Sequence, residues 1–109
     1  MATTYKVLGQ SNPAATTATT LYTVPASTSA VVSTIVICNQ ATASATFRIS
    51  VRQAGAAQTA AMYVAYDVTV GGSDSTALTL GLTLATTDVV TVYGSTATLS
   101  FAAFGSEIA

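Results

Sequence analysis

No stretch of helical length in this chain repeats its apolar side chains at helical spacing. Short runs rich in Thr, Val, Ile, Tyr and Phe recur instead from one end to the other, separated by turn residues. A chain patterned in this way has to fold as sheet. Ala is abundant, but it sits among β-branched residues, which weakens any helical reading. About eight such strands without helices predict an all-β fold, a β-sandwich or a small barrel, with a single β-sandwich of about eight strands, jelly-roll-like, over residues 1–109 favoured. Residues 1–20 are read as able to serve as an N-terminal arm. Strand order does not follow from the pattern.

The expected strands differ in how they are buried. The first covers Thr4 to Leu8 and gives way to a turn-rich patch from Gly9 to Pro13. The second, Thr19 to Val24, stops at Pro25, which has no N–H to give a ladder. The third, Ala30 to Asn39, is apolar on both faces, with Val31, Ile35 and Ile37 on one and Val32, Val36 and Cys38 on the other. Its second face is expected to meet the arm or a partner subunit, and Cys38 is expected to be a buried, inert thiol. In the fourth, Phe47, Ile49 and Val51 alternate strictly with Arg48, Ser50 and Arg52. The fifth, Ala60 to Val70, places Met62, Val64, Tyr66, Val68 and Val70 on one face, with Tyr63, Asp67 and Thr69 opposite. Gly71-Gly72-Ser73-Asp74 then turns the chain. The sixth strand is Thr76 to Leu82 and the seventh Val89 to Tyr93. The eighth runs from Thr96 to Phe104 with Leu99, Phe101 and Ala103 inward, ending at Gly105.

Charge narrows the function classes. Charged residues are 6% of the chain, against roughly 25% in an average soluble domain. Charge repulsion is a main guard against association. A surface of Thr, Ser and Ala lacks it, so neighbours are expected to cover part of that surface. Three cations cannot build a phosphate-neutralising stripe, so no nucleic acid is expected. Mean hydropathy is positive at +0.58. Even so, no apolar run approaches the roughly 20 residues of a spanning helix, and the aromatics do not form girdles. No membrane partner is expected. The start, MATTYKVLGQ, has no basic segment followed by an apolar one, so no signal peptide is expected.

The inventory for chemistry is thin. The chain has no histidine, which removes the usual proton shuttle and the commonest transition-metal ligand. The single cysteine has no imidazole to activate it. Asp67, Asp74, Asp88 and Glu107 are scattered, and neither a carboxylate pair nor an oxygen-rich calcium loop is encoded by their spacing. No glycine loop for phosphate precedes a helix. The expectation is a non-enzyme with no cofactor and no metal. The five tyrosines, Tyr5, Tyr22, Tyr63, Tyr66 and Tyr93, read first as packing residues, and a carbohydrate groove is their other possible use. Arg48 and Arg52 share one strand face with Ser50 between them. They are the candidate interface residues, as anchors for acids on a partner chain, with Asp67 a possible internal partner.

Several segments in order resemble a family of small virion proteins of tailed bacteriophages. They are Leu21-Tyr22-Thr23-Val24-Pro25, Ile37-Cys38-Asn39, Phe47-Arg48-Ile49-Ser50-Val51-Arg52, Ala65-Tyr66-Asp67, Leu80-Gly81-Leu82, Thr87-Asp88-Val89-Val90-Thr91-Val92-Tyr93, Leu99-Ser100-Phe101 and Phe104-Gly105-Ser106-Glu107. The resemblance implies a structural part of the particle, assembled in the host cytoplasm. One placement is a head decoration or cement protein, a homotrimer on the outer capsid surface bound to the major capsid protein. The other is a tail, collar, baseplate or fibre module touching other virion proteins or host-surface glycans. A secreted carbohydrate-binding domain is a further alternative, weakened by the missing signal peptide.

Overall fold

In the computed structural model, which describes residues 2–109, eight strands form two four-stranded sheets. They are β1 (Thr3–Ser11), β2 (Thr19–Thr23), β3 (Ser29–Asn39), β4 (Ala45–Arg52), β5 (Tyr63–Val70), β6 (Ser75–Leu84), β7 (Val89–Gly94) and β8 (Leu99–Ile108). Sheet I has the order β1-β8-β3-β6 and sheet II the order β2-β7-β4-β5, with every strand pair antiparallel. The first strand pairs with the last, the second with the seventh, the third with the sixth and the fourth with the fifth. Such nesting is a long antiparallel ribbon folded over itself, and the ribbon is closed into two layers by the β3–β8 and β4–β7 pairs. This is the jelly-roll sandwich. Among the described residues the only helical segments are two 3₁₀ turns, Gln53–Gly55 and Ala60–Met62, and no helix is long and apolar enough to cross a membrane.

The core is the space between the sheets. Val32, Ile35, Ile37, Leu99, Phe101 and Ala103 from sheet I meet Phe47, Ile49, Val90 and Val92 from sheet II. Phe47 and Phe101 touch edge to face across the gap, with centroids 6.2 Å apart. The interior also holds one buried polar plug. Asn39, at the end of β3, donates to the carbonyls of Ala43, Val70 and Gly71 and accepts from the Ala41 N–H and the Thr98 hydroxyl. A single side chain thus ties together three connections at one end of the sandwich.

Several expected faces are corrected, and the reason is the same each time. Side chains alternate with period two, so residues an odd number apart cannot share a face unless a bulge inserts one residue. In β3, Val32 and Ile35 are both fully buried, because Ser33 is a bulge between Val32 and Thr34. Val31 and Val36 therefore face outward, half-exposed, and so does Cys38, which is exposed rather than buried. In β5, Ala65 and Val70 point inward, because Tyr66 and Asp67 together oppose Arg48 and Asp67 takes φ 52°. Val64 and Tyr66 are exposed as a result. β1 continues through the expected turn to Ser11, with a bulge at Leu8, and pairs along its length with β8. The segment read as an arm therefore contains an edge strand, followed by a bridge from Ala15 to Gly94 and the start of β2. β8 does not end at Gly105 but runs to Ile108. Gly105 is required there because a Cβ would collide with the Val31 carbonyl.

All four sheet edges carry such an irregularity: β1 at Leu8, β2 at Leu21, β5 at Tyr66–Asp67 and β6 at Leu80–Gly81. Bulged edges are poor templates for another strand. In a chain with so few charges, they are the means by which edge pairing is blocked.

Replacing Asn39 with Ala is expected to lower unfolding free energy by about 2–4 kcal/mol, because buried carbonyls and the Ala41 N–H lose their partner. Urea denaturation checks this, and an unchanged midpoint would refute the plug assignment.

Candidate functional site

The outer face of sheet II gathers most of the polar chemistry. β4 projects Arg48, Ser50 and Arg52 away from the core, as its alternation predicts. Arg48 and Asp67 are cross-strand neighbours at the β5 bulge, and Arg48 Nε donates to Asp67 Oδ1 at 2.7 Å. The guanidinium carbon lies 4.2 Å from the Tyr66 ring centre and 4.4 Å from that of Tyr93. The hydrogen bond to Asp67 pushes the Arg48 pKa further above its ordinary value. Arg48 is therefore a fixed cation clamped between two rings and a carboxylate. Arg52 is held as well. Its Nε donates to the Thr91 hydroxyl at 3.2 Å and its Nη1 to the carbonyls of Gly55 and Ala56. The structure thus brings Arg48 and Asp67 together and places Arg52 with Thr91, further along β4.

The connection from Gln53 to Met62 forms a rim beside this face. Asp88, buried in the turn before β7, anchors it: Oδ1 accepts the Ala54 N–H and Oδ2 the Ala85 N–H, both at 2.9 Å. Gln58 folds back over the sheet, accepting the Ser50 hydroxyl at 2.5 Å and donating to the Thr59 carbonyl at 2.9 Å. Tyr63 and Tyr66 pack edge to face with centroids 4.9 Å apart, and Tyr66 is 56% exposed. Gln58, Thr59, Ala60, Tyr63 and Tyr66 enclose a depression of about 480 Å³. The tyrosines were visible in the sequence as candidate groove residues. Gln58 was not, because its position comes from loop packing and no periodicity encodes that.

A second polar cluster bridges the sheets. Tyr22 of β2 donates to Glu107 of β8 at 2.5 Å, and Lys6 of β1 pairs with the same carboxylate at 2.9 Å. The Tyr22 hydroxyl, then Lys6, hold the Glu107 carboxyl below its ordinary 4.5. Burial, then Glu107, raise the Tyr22 phenol above its ordinary 10.0. No group of three or more His, Cys, Asp or Glu side chains placed to hold a metal occurs among the described residues.

The fold and this face define a jelly-roll sandwich with one aromatic, hydroxyl-rich outer surface. Comparison with protein-family models, curated proteins and solved structures returns no match.

Two predictions follow from these clusters. Asp88→Ala leaves two backbone N–H groups without an acceptor and is expected to cost about 2–4 kcal/mol, with faster amide exchange at Ala54 than in the parent. Glu107, with a lowered pKa, contributes stability that is present above pH 4.5 and lost as pH falls through its folded value. Tyr22, with a raised pKa, contributes stability that is present below pH 10.0 and lost as pH rises through its folded value. Denaturation midpoints across pH should fall off at both ends, and Glu107→Gln should flatten the acid limb. An acid limb that keeps its slope in that variant would remove Glu107 as its source.

Proposed function

We propose that this chain is a structural component of a tailed-phage virion, a decoration or cement protein that binds the outer head shell as a homotrimer. One observation carries the assembly part of the reading, the outer face of sheet I. Tyr5 is 84% exposed there, with Val7 at 48% and Phe104 at 37%. They border a depression of about 510 Å³ together with Val31, Ser33, Gly105 and Ser106. Lys6, at its edge, is tied to Glu107. This is partly apolar surface whose one charged lining residue is paired with a carboxylate, the kind of surface that marks an interaction site. Blunted edges direct contact to the faces. Attribution to a phage particle is supported by the sequence resemblance alone, and the jelly roll is compatible with it without implying it.

A cement protein works by area and multivalency. Each trimer bridges neighbouring shell subunits, and once one contact forms the others close at high effective concentration. The partner is the major capsid protein or another virion protein, and no enzymatic activity is involved. The second reading, a tail, collar or baseplate module, is favoured by the tyrosine-walled depression on sheet II, which suits a small ligand better than a shell.

Quantified bands from purified virions are expected to give a copy number near that of the shell's local threefold sites, and a Phe104→Asp protein should not restore binding to stripped heads. A handful of copies per particle would transfer the protein to the tail.

A further inference from the structure

The groove on the outer face of sheet II has a shape and chemistry of its own, on the side of the sandwich opposite the exposed Tyr5, Val7 and Phe104. Its first compartment, about 480 Å³, lies within the ~300–1,000 Å³ usual for small-molecule sites. Tyr63 and Tyr66 supply aromatic surface whose position is fixed by their mutual contact and by Arg48 against Tyr66. A second compartment of about 200 Å³ is lined by Ala18, Thr20, Arg52, Gln58 and Thr91. Gln58 lines both, so the two depressions flank its side chain on the same face.

The donors and acceptors along it are neutral. One Gln58 N–H is committed to the Thr59 carbonyl, which leaves the second for a ligand. Thr59 is exposed at the rim of the first compartment, and Thr20 and Thr91 add hydroxyls to the second. Among the described residues the only cations on this face are engaged, Arg48 by Asp67 and two rings, Arg52 by Thr91 and two carbonyls. A charged ligand would find no free counter-charge. An apolar ligand would desolvate Gln58 and Thr59 without replacing their hydrogen bonds.

We propose that this groove binds a neutral oligosaccharide. One pyranose lies with its C–H face on the Tyr63–Tyr66 wall and its hydroxyls at Gln58 and Thr59. The chain continues past Gln58 toward Thr20 and Thr91. Aromatic surface beside fixed, uncharged hydrogen-bonding groups is the combination that recognises a sugar, which is apolar on its ring faces and polar at its rim. The proposal goes beyond the virion reading and stands independently of it, because it concerns the isolated chain.

The test is amide chemical-shift titration of the purified protein with methyl β-glucoside, methyl β-galactoside, maltotriose, cellotriose and chitotriose. Expected are saturable shifts at Gln58, Thr59, Tyr63 and Tyr66 with at least one trisaccharide, which should bind more tightly than the monosaccharides. Tyr66→Ala should weaken it by about tenfold or more, the effect of removing an aromatic anchor worth about 1.4 kcal/mol. Gln58→Ala, in an exposed loop, serves as a second variant should Tyr66→Ala not fold, and is expected to weaken binding with the spectrum otherwise intact. The idea is overturned if none of the saccharides gives localised saturable shifts, or if both variants bind like the parent. It is equally overturned if a proline-rich peptide saturates the same amides while the sugars do not.

Discussion

Phase is the constraint on which the rest of this structure depends. A pleated strand keeps its apolar residues on one side only while an even number of positions separates them. Five of the strands here carry a bulge or register shift, and in β3 and β5 it restores the inward direction. Val32 and Ile35 reach the same core because Ser33 is inserted between them. Ala65 and Val70 do so because Asp67 occupies a left-handed conformation. The same insertions twist the edge strands out of regular pairing and aim Asp67 at Arg48. Core registration, edge protection and the geometry of the sheet II face are thus results of one device.

The few charges are spent on fastening the fold. Lys6 and Glu107 join the two strands at one edge of sheet I, and Glu107 reaches across to Tyr22 in sheet II. Arg48 and Asp67 clamp the β4–β5 pair. Asp88 staples the rim loop, Arg52 holds the same loop from beneath, and Asp74 accepts the N–H of Ser75 at the following turn. Little ionised surface remains to oppose association, so the low charge content has a consequence at the faces as well as an origin in the fold.

Regular elements were legible in the sequence, and irregular ones were not. The alternation from Phe47 to Arg52 carries straight into β4 because its ladder with β7 has no register shift. Leu99, Phe101 and Ala103 point inward as their spacing requires. The β5 faces were misread because an Asp in the left-handed region leaves no signature separate from an Asp in a strand. Gly105 looked like a terminator, since the close approach of the Val31 carbonyl that demands glycine is a tertiary fact. The habit of its residue type puts Cys38 in the interior, yet the phase of β3 after the Ser33 bulge turns it outward. At the site, the pairing of Arg48 with Asp67 was foreseeable from neighbouring strands. The role of Gln58 depends on a loop pinned by Asp88, a residue distant in sequence that the β4–β7 pairing brings beside it.

The two outer faces can act without interfering with each other. The sandwich is 19 Å across its thinnest dimension, close to two sheet layers with their side chains. A partner covering Tyr5, Val7 and Phe104 on sheet I leaves the tyrosines of sheet II in solvent. Edge pairing is disfavoured beside both faces, because every edge is bulged. Communication between the faces would need a part of the core that can adopt two arrangements. The layer between them is closely packed around Phe47 and Phe101 and plugged by a fully bonded Asn39. Covering one face is therefore expected to leave the affinity of the other unchanged, and a protein fixed in an assembly through sheet I would present its sheet II groove unaltered.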